Sequence, residues 1–194
     1  MFRYVPMLVI FSSACAYGQA EFGIKSGLNV SDIVMINYIN PDVESDLTLK
    51  LGLHAGLFVN GMLSERMGMT GELLYSDKGV KGINNIHLHY INLPILFQYQ
   101  LTDRIFAEVG PELGYLFSAF SKHGNESGSY NNKFDLALDA GLRFNVQKFI
   151  FGLRYSMGFF SVREHLESFG GSEKVKYQNR VLQVSLGYKL WILE

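Results

Sequence analysis

The sequence predicts an all-β protein, an eight-stranded antiparallel up-and-down transmembrane β-barrel. Three observations predict it. Apolar residues alternate with polar ones at period two, eight such segments follow one another, and the connections between them alternate between short and long. Successive side chains of a strand leave opposite faces of the pleat, so period two marks a strand with two different environments. Short turns at one end and long polar loops at the other are the habit of outer-membrane barrels.

The clearest segment is FDLALDAGLRFNV, residues 134–146. Phe134, Leu136, Leu138, Ala140, Leu142, Phe144 and Val146 take one parity; Asp135, Ala137, Asp139, Gly141, Arg143 and Asn145 take the other. A soluble barrel would hide the apolar set inside, whereas a membrane barrel turns it outward to lipid.

Composition narrows the classes. The 194-residue chain is 48% hydrophobic and 18% charged, with 20 Gly, 11 Tyr and 15 Phe. That is too apolar for a disordered chain and rich in residues that suit strands and barrel corners. Past the N-terminus, no run approaches the roughly 18 apolar residues of a spanning helix. The formal net charge is −1, without a lysine or arginine cluster, which argues against nucleic acid as a partner.

Residues 1–18 read as a secretory signal peptide: Arg3, an apolar stretch over 4–11, then small residues. Cleavage after Gly18 or after Ala20 fits the small-x-small rule, leaving residues 19–194 as one barrel domain. The only cysteine, Cys15, leaves with the signal, so the mature chain has no disulfide. Lipidation at Cys15 favours an aliphatic residue three positions earlier, and Ser12-Ser13-Ala14 lacks one.

Strands are expected at residues 21–31, 47–60, 67–78, 87–100, 105–120, 134–145, 149–162 and 180–192. The first sets Phe22, Ile24 and Leu28 against Lys25. The second sets Leu49, Leu51, Leu53, Leu57 and Val59 against Lys50 and His54, and the third sets Met67, Met69, Leu73 and Tyr75 against Glu72. The fourth carries Ile91, Leu93, Ile95, Phe97 and Tyr99 on its apolar face; the fifth sets Val109, Leu113, Tyr115 and Phe117 against Glu108 and Glu112. After the 134–146 segment, the seventh sets Phe149, Phe151, Leu153, Met157 and Phe159 against Arg154. The last sets Leu182, Val184, Leu186, Tyr188 and Leu190 against Gln183 and Lys189.

Connections 61–66, 102–104 and 147–148 are short, while 32–46, 79–86, 121–133 and 163–179 are mostly longer and polar. A two-residue turn at Gln147 and Lys148 places Val146 opposite Phe149. The register then sets Phe144 against Phe151, Leu142 against Leu153, Leu138 against Met157 and Leu136 against Phe159. Gly141 falls opposite Arg154, with Asp139 on the diagonal.

Three features turn the apolar face outward. The polar face holds many glycines, among them Gly27, Gly56, Gly141 and Gly187, which suit a narrow interior and have no use on a wet exterior. Aromatics gather at both ends of the apolar face, as interfacial girdles do. Phe22, Tyr99, Phe144, Phe149, Phe151 and Tyr188 stand at the short-turn end; Tyr75, Tyr115, Phe117, Phe134 and Phe159 stand toward the long loops. Tyr155 at mid-height is the exception. Finally, the inward charges balance: Lys25, Lys50, Arg143, Arg154 and Lys189 against Glu72, Glu108, Glu112, Asp135 and Asp139. A lumen charge network of these residues is expected, since an unpaired charge in a tight interior is costly.

Several motifs also resemble the PorT-like outer-membrane β-barrel family of Bacteroidetes-type bacteria, over essentially the whole mature chain. They are Gly23-Ile24-Lys25-Ser26-Gly27-Leu28-Asn29, Tyr90-Ile91-Asn92-Leu93-Pro94-Ile95-Leu96 and Gly110-Pro111-Glu112-Leu113-Gly114-Tyr115. The resemblance implies an eight-stranded barrel and, through the family's namesake, a secretion-accessory role. The chain end also resembles the barrel-assembly signal, with Ser185, Gly187, Leu190 and Ile192 at its marked positions, although Ile192 replaces the usual aromatic. Its implied partner is the barrel-assembly machinery.

No catalytic, cofactor-binding or metal site is expected. His87 and His89 share a strand face at the spacing of a metal pair, but only two ligands are visible and their parity is outward, so a polar rim accounts for them. Glu108, Glu112, Asp135 and Asp139 could serve acid–base work, yet a salt-bridge network with Arg143 and Arg154 explains them without a substrate. GNESGSYNN, residues 124–132, lacks the Gly-Lys-Ser/Thr ending of a phosphate cradle and reads as a loop. Asn29-Val30-Ser31 fits a glycosylation sequon but sits at a strand end.

The function expected is that of an integral outer-membrane protein with a filled polar lumen and a structural or surface-interaction role through its long loops. It is expected not to be an enzyme. Its partners would be outer-membrane lipid and envelope or secretion proteins. The alternatives are a PorT-like secretion-accessory or narrow transport component and, lower, a soluble lipocalin-like carrier.

Overall fold

The structure, a computed structural model, describes residues 20–37, 49–80, 86–121, 124–125, 133–159, 164–168 and 172–193. The expected signal peptide lies outside these residues, as do 38–48 of the first long connection.

The strands, in chain order, are β1 (Ala20–Asn37), β2 (Lys50–Met62), β3 (Met67–Val80), β4 (Ile86–Gln100), β5 (Ile105–Ser121), β6 (Gly124–Asn125), β7 (Phe134–Val146), β8 (Phe149–Gly158), β9 (Glu164–Ser168) and β10 (Ser172–Leu193). Eight of them form the wall: β1, β2, β3, β4, β5, β7, β8 and β10 each pair antiparallel with the next. Pairing of β1 with β10, from Ala20↔Leu193 to Asn37↔Val175, closes the sheet into a barrel. β6 adds two residues beside the end of β5, and β9 folds back on β10. Closure leaves the membrane-spanning wall without a free edge, which is the only way strands can cross hydrocarbon.

The short connections are tight. Leu63 N donates to Met67 O at 2.8 Å and Leu101 N to Ile105 O at 2.9 Å. Between β7 and β8, Gln147 adopts φ 53°, the left-handed region, and this turns the chain in two residues. The register that follows is Val146↔Phe149, Phe144↔Phe151, Leu142↔Leu153, Gly141↔Arg154 and Leu138↔Met157. Phe159 N donates to Leu136 O at 2.8 Å, completing the expected series.

Strand lengths differ from expectation on the long-loop side. β1 continues past Ser31 to Asn37, and the connection expected over 163–179 contains β9 and the first eight residues of β10. In the extension of β1, Ile33-Val34-Met35-Ile36 is apolar without interruption, so period two is absent there and the sequence reads as connection.

Burial settles which face meets lipid. Leu51 is 62% exposed, Leu53 60% and Leu57 56%, while Lys50, Glu72 and Arg154 are 3–4% exposed. Apolar outside and ionic inside is the reverse of a lipocalin, so the soluble-carrier alternative fails. The aromatic ends are also visible. Phe149 and Tyr188 meet edge-on at 5.3 Å on the short-turn side; Tyr115 and Phe134 pack at 5.3 Å toward the long loops.

The interior departs from expectation in one respect. It is not wholly polar: Phe58, Leu74, Leu88, Leu96, Phe106, Leu116 and Ile150 point inward and are buried. Glycines make room for them. A Cβ at Gly23 would run into the Phe58 ring.

Two outcomes follow. The unheated protein should migrate differently from the boiled protein on a denaturing gel; identical mobility would contradict a closed barrel. Leu142→Arg, on the lipid face, should cost about 2–4 kcal/mol in urea unfolding from vesicles, and a neutral result would count against the outward assignment.

Candidate functional site in the barrel lumen

Strand alternation delivers the charged side chains to one enclosed space, where they must find partners or water. Glu72 of β3 stands at the centre. It accepts Lys25 Nζ at 2.8 Å and takes the Arg154 guanidinium in a two-pronged pair, both bonds 2.9 Å. This fork joins β3 to β8 across the lumen, and a planar guanidinium suits a carboxylate in that geometry. Arg154 also lies 3.5 Å from Glu108 and 3.6 Å from Asp139.

Toward the short turns, Arg143 approaches Glu108 at 3.8 Å and Glu21 at 3.6 Å, and donates to Asn60 and Thr70, each at 3.2 Å. Gln98 bonds both Thr70 and Glu108. Lys189 closes this layer on Glu21 at 2.6 Å. Around it, the cavity lined by Lys25, Thr70, Glu108 and Arg143 measures about 10 Å³. That is at the threshold for one water molecule.

Toward the long loops the partners change. Lys78 pairs with Glu112 at 2.8 Å and lies over the Tyr90 ring at 5.1 Å, and Asn92 donates to the same Glu112 oxygen. Asp135 takes Asn179 Nδ2 at 2.9 Å. Lys50 pairs with Asp77 at the rim. His87 and His89 do face outward, beside Asp77 at 3.4 and 3.9 Å, with His89 Nδ1 2.8 Å from the Tyr75 hydroxyl. Among the described residues, no group of three His, Cys, Asp or Glu is placed to hold a metal ion.

The structure therefore brings Lys25, Glu72, Glu108, Asp139, Arg143 and Arg154 into one connected cluster. It puts Glu112 and Asp135 in a separate outer layer, Lys50 at the rim, and Lys189 on Glu21. Sequence reasoning missed three charged partners. Lys78 shares the parity of Glu72, and Glu21 that of Lys25, so alternation could have found both. Asp77 takes the outward parity and is reached only because Lys50 bends to it at the rim. On β10, Ser185 and Gly187 point inward while Leu190 and Ile192 are exposed.

Chemically, this arrangement braces. Glu72 and Glu108 are held by cations and an amide, Asp139 only by its 3.6 Å approach to Arg154, and the wall is cross-linked by charge.

Residues 12–164 match the family model described as outer membrane protein beta-barrel domain. Among curated proteins, none matches the sequence. Among solved structures, the chain is similar in fold to Ail, the attachment invasion locus protein of Yersinia pestis, at 16% identity and TM-score 0.52, covering 89% of this chain and 99% of that one. It is also similar to Neisserial surface protein A, at 9% identity and TM-score 0.54, covering 88% and 99%.

Losses from the two members of the central fork should not add. Arg154→Met leaves Glu72 with Lys25 alone and should cost about 3–5 kcal/mol. Arg154→Met with Glu72→Leu should cost less in urea unfolding than the two single losses summed, although Lys25 then loses Glu72 and Asp139 loses Arg154. A loss in the double variant equal to the sum of the two single losses would show that the fork does not couple the two walls.

Proposed function

The chain belongs to the outer membrane protein beta-barrel domain family, and from that premise we propose that it is a closed, non-enzymatic envelope protein whose business is recognition at its long-loop end. One observation carries this reading. β1 and β10 remain paired six steps beyond Ser31↔Lys50, the last step of β1 with β2, and β9 adds a third strand to the projection. A strand-paired platform standing above the rim suits contact with another surface better than a loop of the same length, because less ordering entropy is lost on binding. The filled lumen supports the same reading, since eight strands enclose little more than their own side chains. The attachment locus protein of similar fold is named for such a role.

Export by the N-terminal signal and insertion by the barrel-assembly machinery, reading Ser185, Gly187, Leu190 and Ile192, belong to this proposal. Removing residues 164–176 should abolish attachment of cells carrying the protein while leaving the heat-dependent gel shift intact. Unchanged attachment would dispose of the adhesive reading.

The PorT-like resemblance favours a second reading, a secretion-accessory or narrow transport component. It requires conductance through the lumen or a stable secretion partner. Silence in planar-bilayer recording together with no partner in a crosslinking pull-down would reject it.

A further inference from the structure

The lipid-facing wall is not uniform. Where β2, β3 and β4 run side by side, an apolar depression of about 230 Å³ opens outward. Leu57 and Val59 flank it from β2, Leu73 from β3, and Leu93 and Ile95 from β4. Gly71, of outward parity on β3, contributes no side chain to fill the middle. The inward residues Phe58 and Glu72 complete the lining from below.

The sheet is interrupted at the same place. β3 and β4 pair at Gly71↔Ile95 and next at Leu74↔Asn92, skipping the steps that would set Glu72 and Leu73 against Pro94 and Leu93. Pro94 has no N–H to give, so the ladder breaks there for a covalent reason.

We propose that this depression is a binding groove for one acyl chain of a phospholipid in the leaflet on the short-turn side. The groove is continuous with the hydrocarbon-facing band, and Gly71 lies four residues in from Met67, at the short-turn foot of β3. Within a bilayer, one apolar surface is not favoured over another by hydrophobicity, so fit and dispersion decide what lies against the wall. A hollow deprives its lining of contacts unless something slender enters it, and an acyl chain is the slender apolar body at hand. The floor offers no competing charge, because the Glu72 carboxylate is committed inward to Lys25 and Arg154. Exposed Arg66, immediately before β3, stands at the headgroup end of the same leaflet, where it suits a lipid phosphate.

The full-length protein would be reconstituted in phosphatidylethanolamine–phosphatidylglycerol vesicles containing a phospholipid with a diazirine in mid-chain. After irradiation, adducts are mapped by peptide mass spectrometry. Labelling of Leu57, Leu73 and Leu93 should exceed that of Leu142 and Leu153, on the β7–β8 wall, several-fold. Gly71→Leu should abolish the excess while the unheated gel band keeps its shift. Even labelling around the barrel overturns the proposal, as does an excess that survives Gly71→Leu. Weaker labelling of these leucines than of Leu142 and Leu153 would mean that a second copy covers the groove and would overturn it too. Should Gly71→Leu fail to insert, the wild-type labelling ratio alone decides.

Discussion

Hydrocarbon offers no hydrogen bonds, and that single constraint orders the whole molecule. Each backbone N–H and C=O that crosses the membrane must be satisfied within the sheet, so the sheet has to close. Pairing of β1 with β10 accomplishes this, although the two strands come from opposite ends of the chain. Once closed, the wall has only two faces. The outer one becomes apolar because lipid tails are apolar, and the inner one inherits every residue that lipid rejects.

The lumen then faces a difficulty of its own. It is too narrow to hydrate a dozen charged groups and too ionic to be a hydrophobic core. The structure resolves this with direct pairs: the fork of Arg154 on Glu72, Lys78 on Glu112, and Lys189 on Glu21. Buried pairs of this kind add little net stability over a well-packed apolar interior, but they make each partner indispensable to the other. Inward Phe58, Leu74 and Leu96 fill the remaining space. Rigidity therefore comes from a mixed interior, in which charge fixes distances between opposite walls and apolar side chains exclude water.

A braced barrel frees its two surfaces for other work. Above the rim, β1, β9 and β10 need not obey the membrane's alternation, and they project as a sheet. Along the wall, the only irregularities that lipid tolerates are those whose backbone groups remain shielded. The interruption at Pro94 leaves no N–H unsatisfied on that residue, because proline has none to give.

How much of this was legible depends on distance along the chain. Facing direction was readable strand by strand, because a period of two is imposed locally by the pleat. The β7–β8 register was readable because a two-residue turn leaves no freedom. Partner choice in the lumen was not. Arg154 finds Glu72 across 82 residues, and Lys189 finds Glu21 across 168, so these pairs are set by strand stagger and side-chain reach around a closed ring. Inward apolar residues such as Leu74 and Leu96 broke the simple polar-inside rule for the same reason: whether an interior position needs a charge or a methyl group depends on what stands opposite. The extension of β1 escaped notice because Ile33-Val34-Met35-Ile36 is apolar throughout and shows no alternation. By itself, then, the sequence determined the barrel and its orientation in the solvent, through forces that act on neighbouring residues. Tertiary structure alone decided the pairs, the filling of the lumen and the hollow over Gly71, because those arise only when distant strands are brought within side-chain reach.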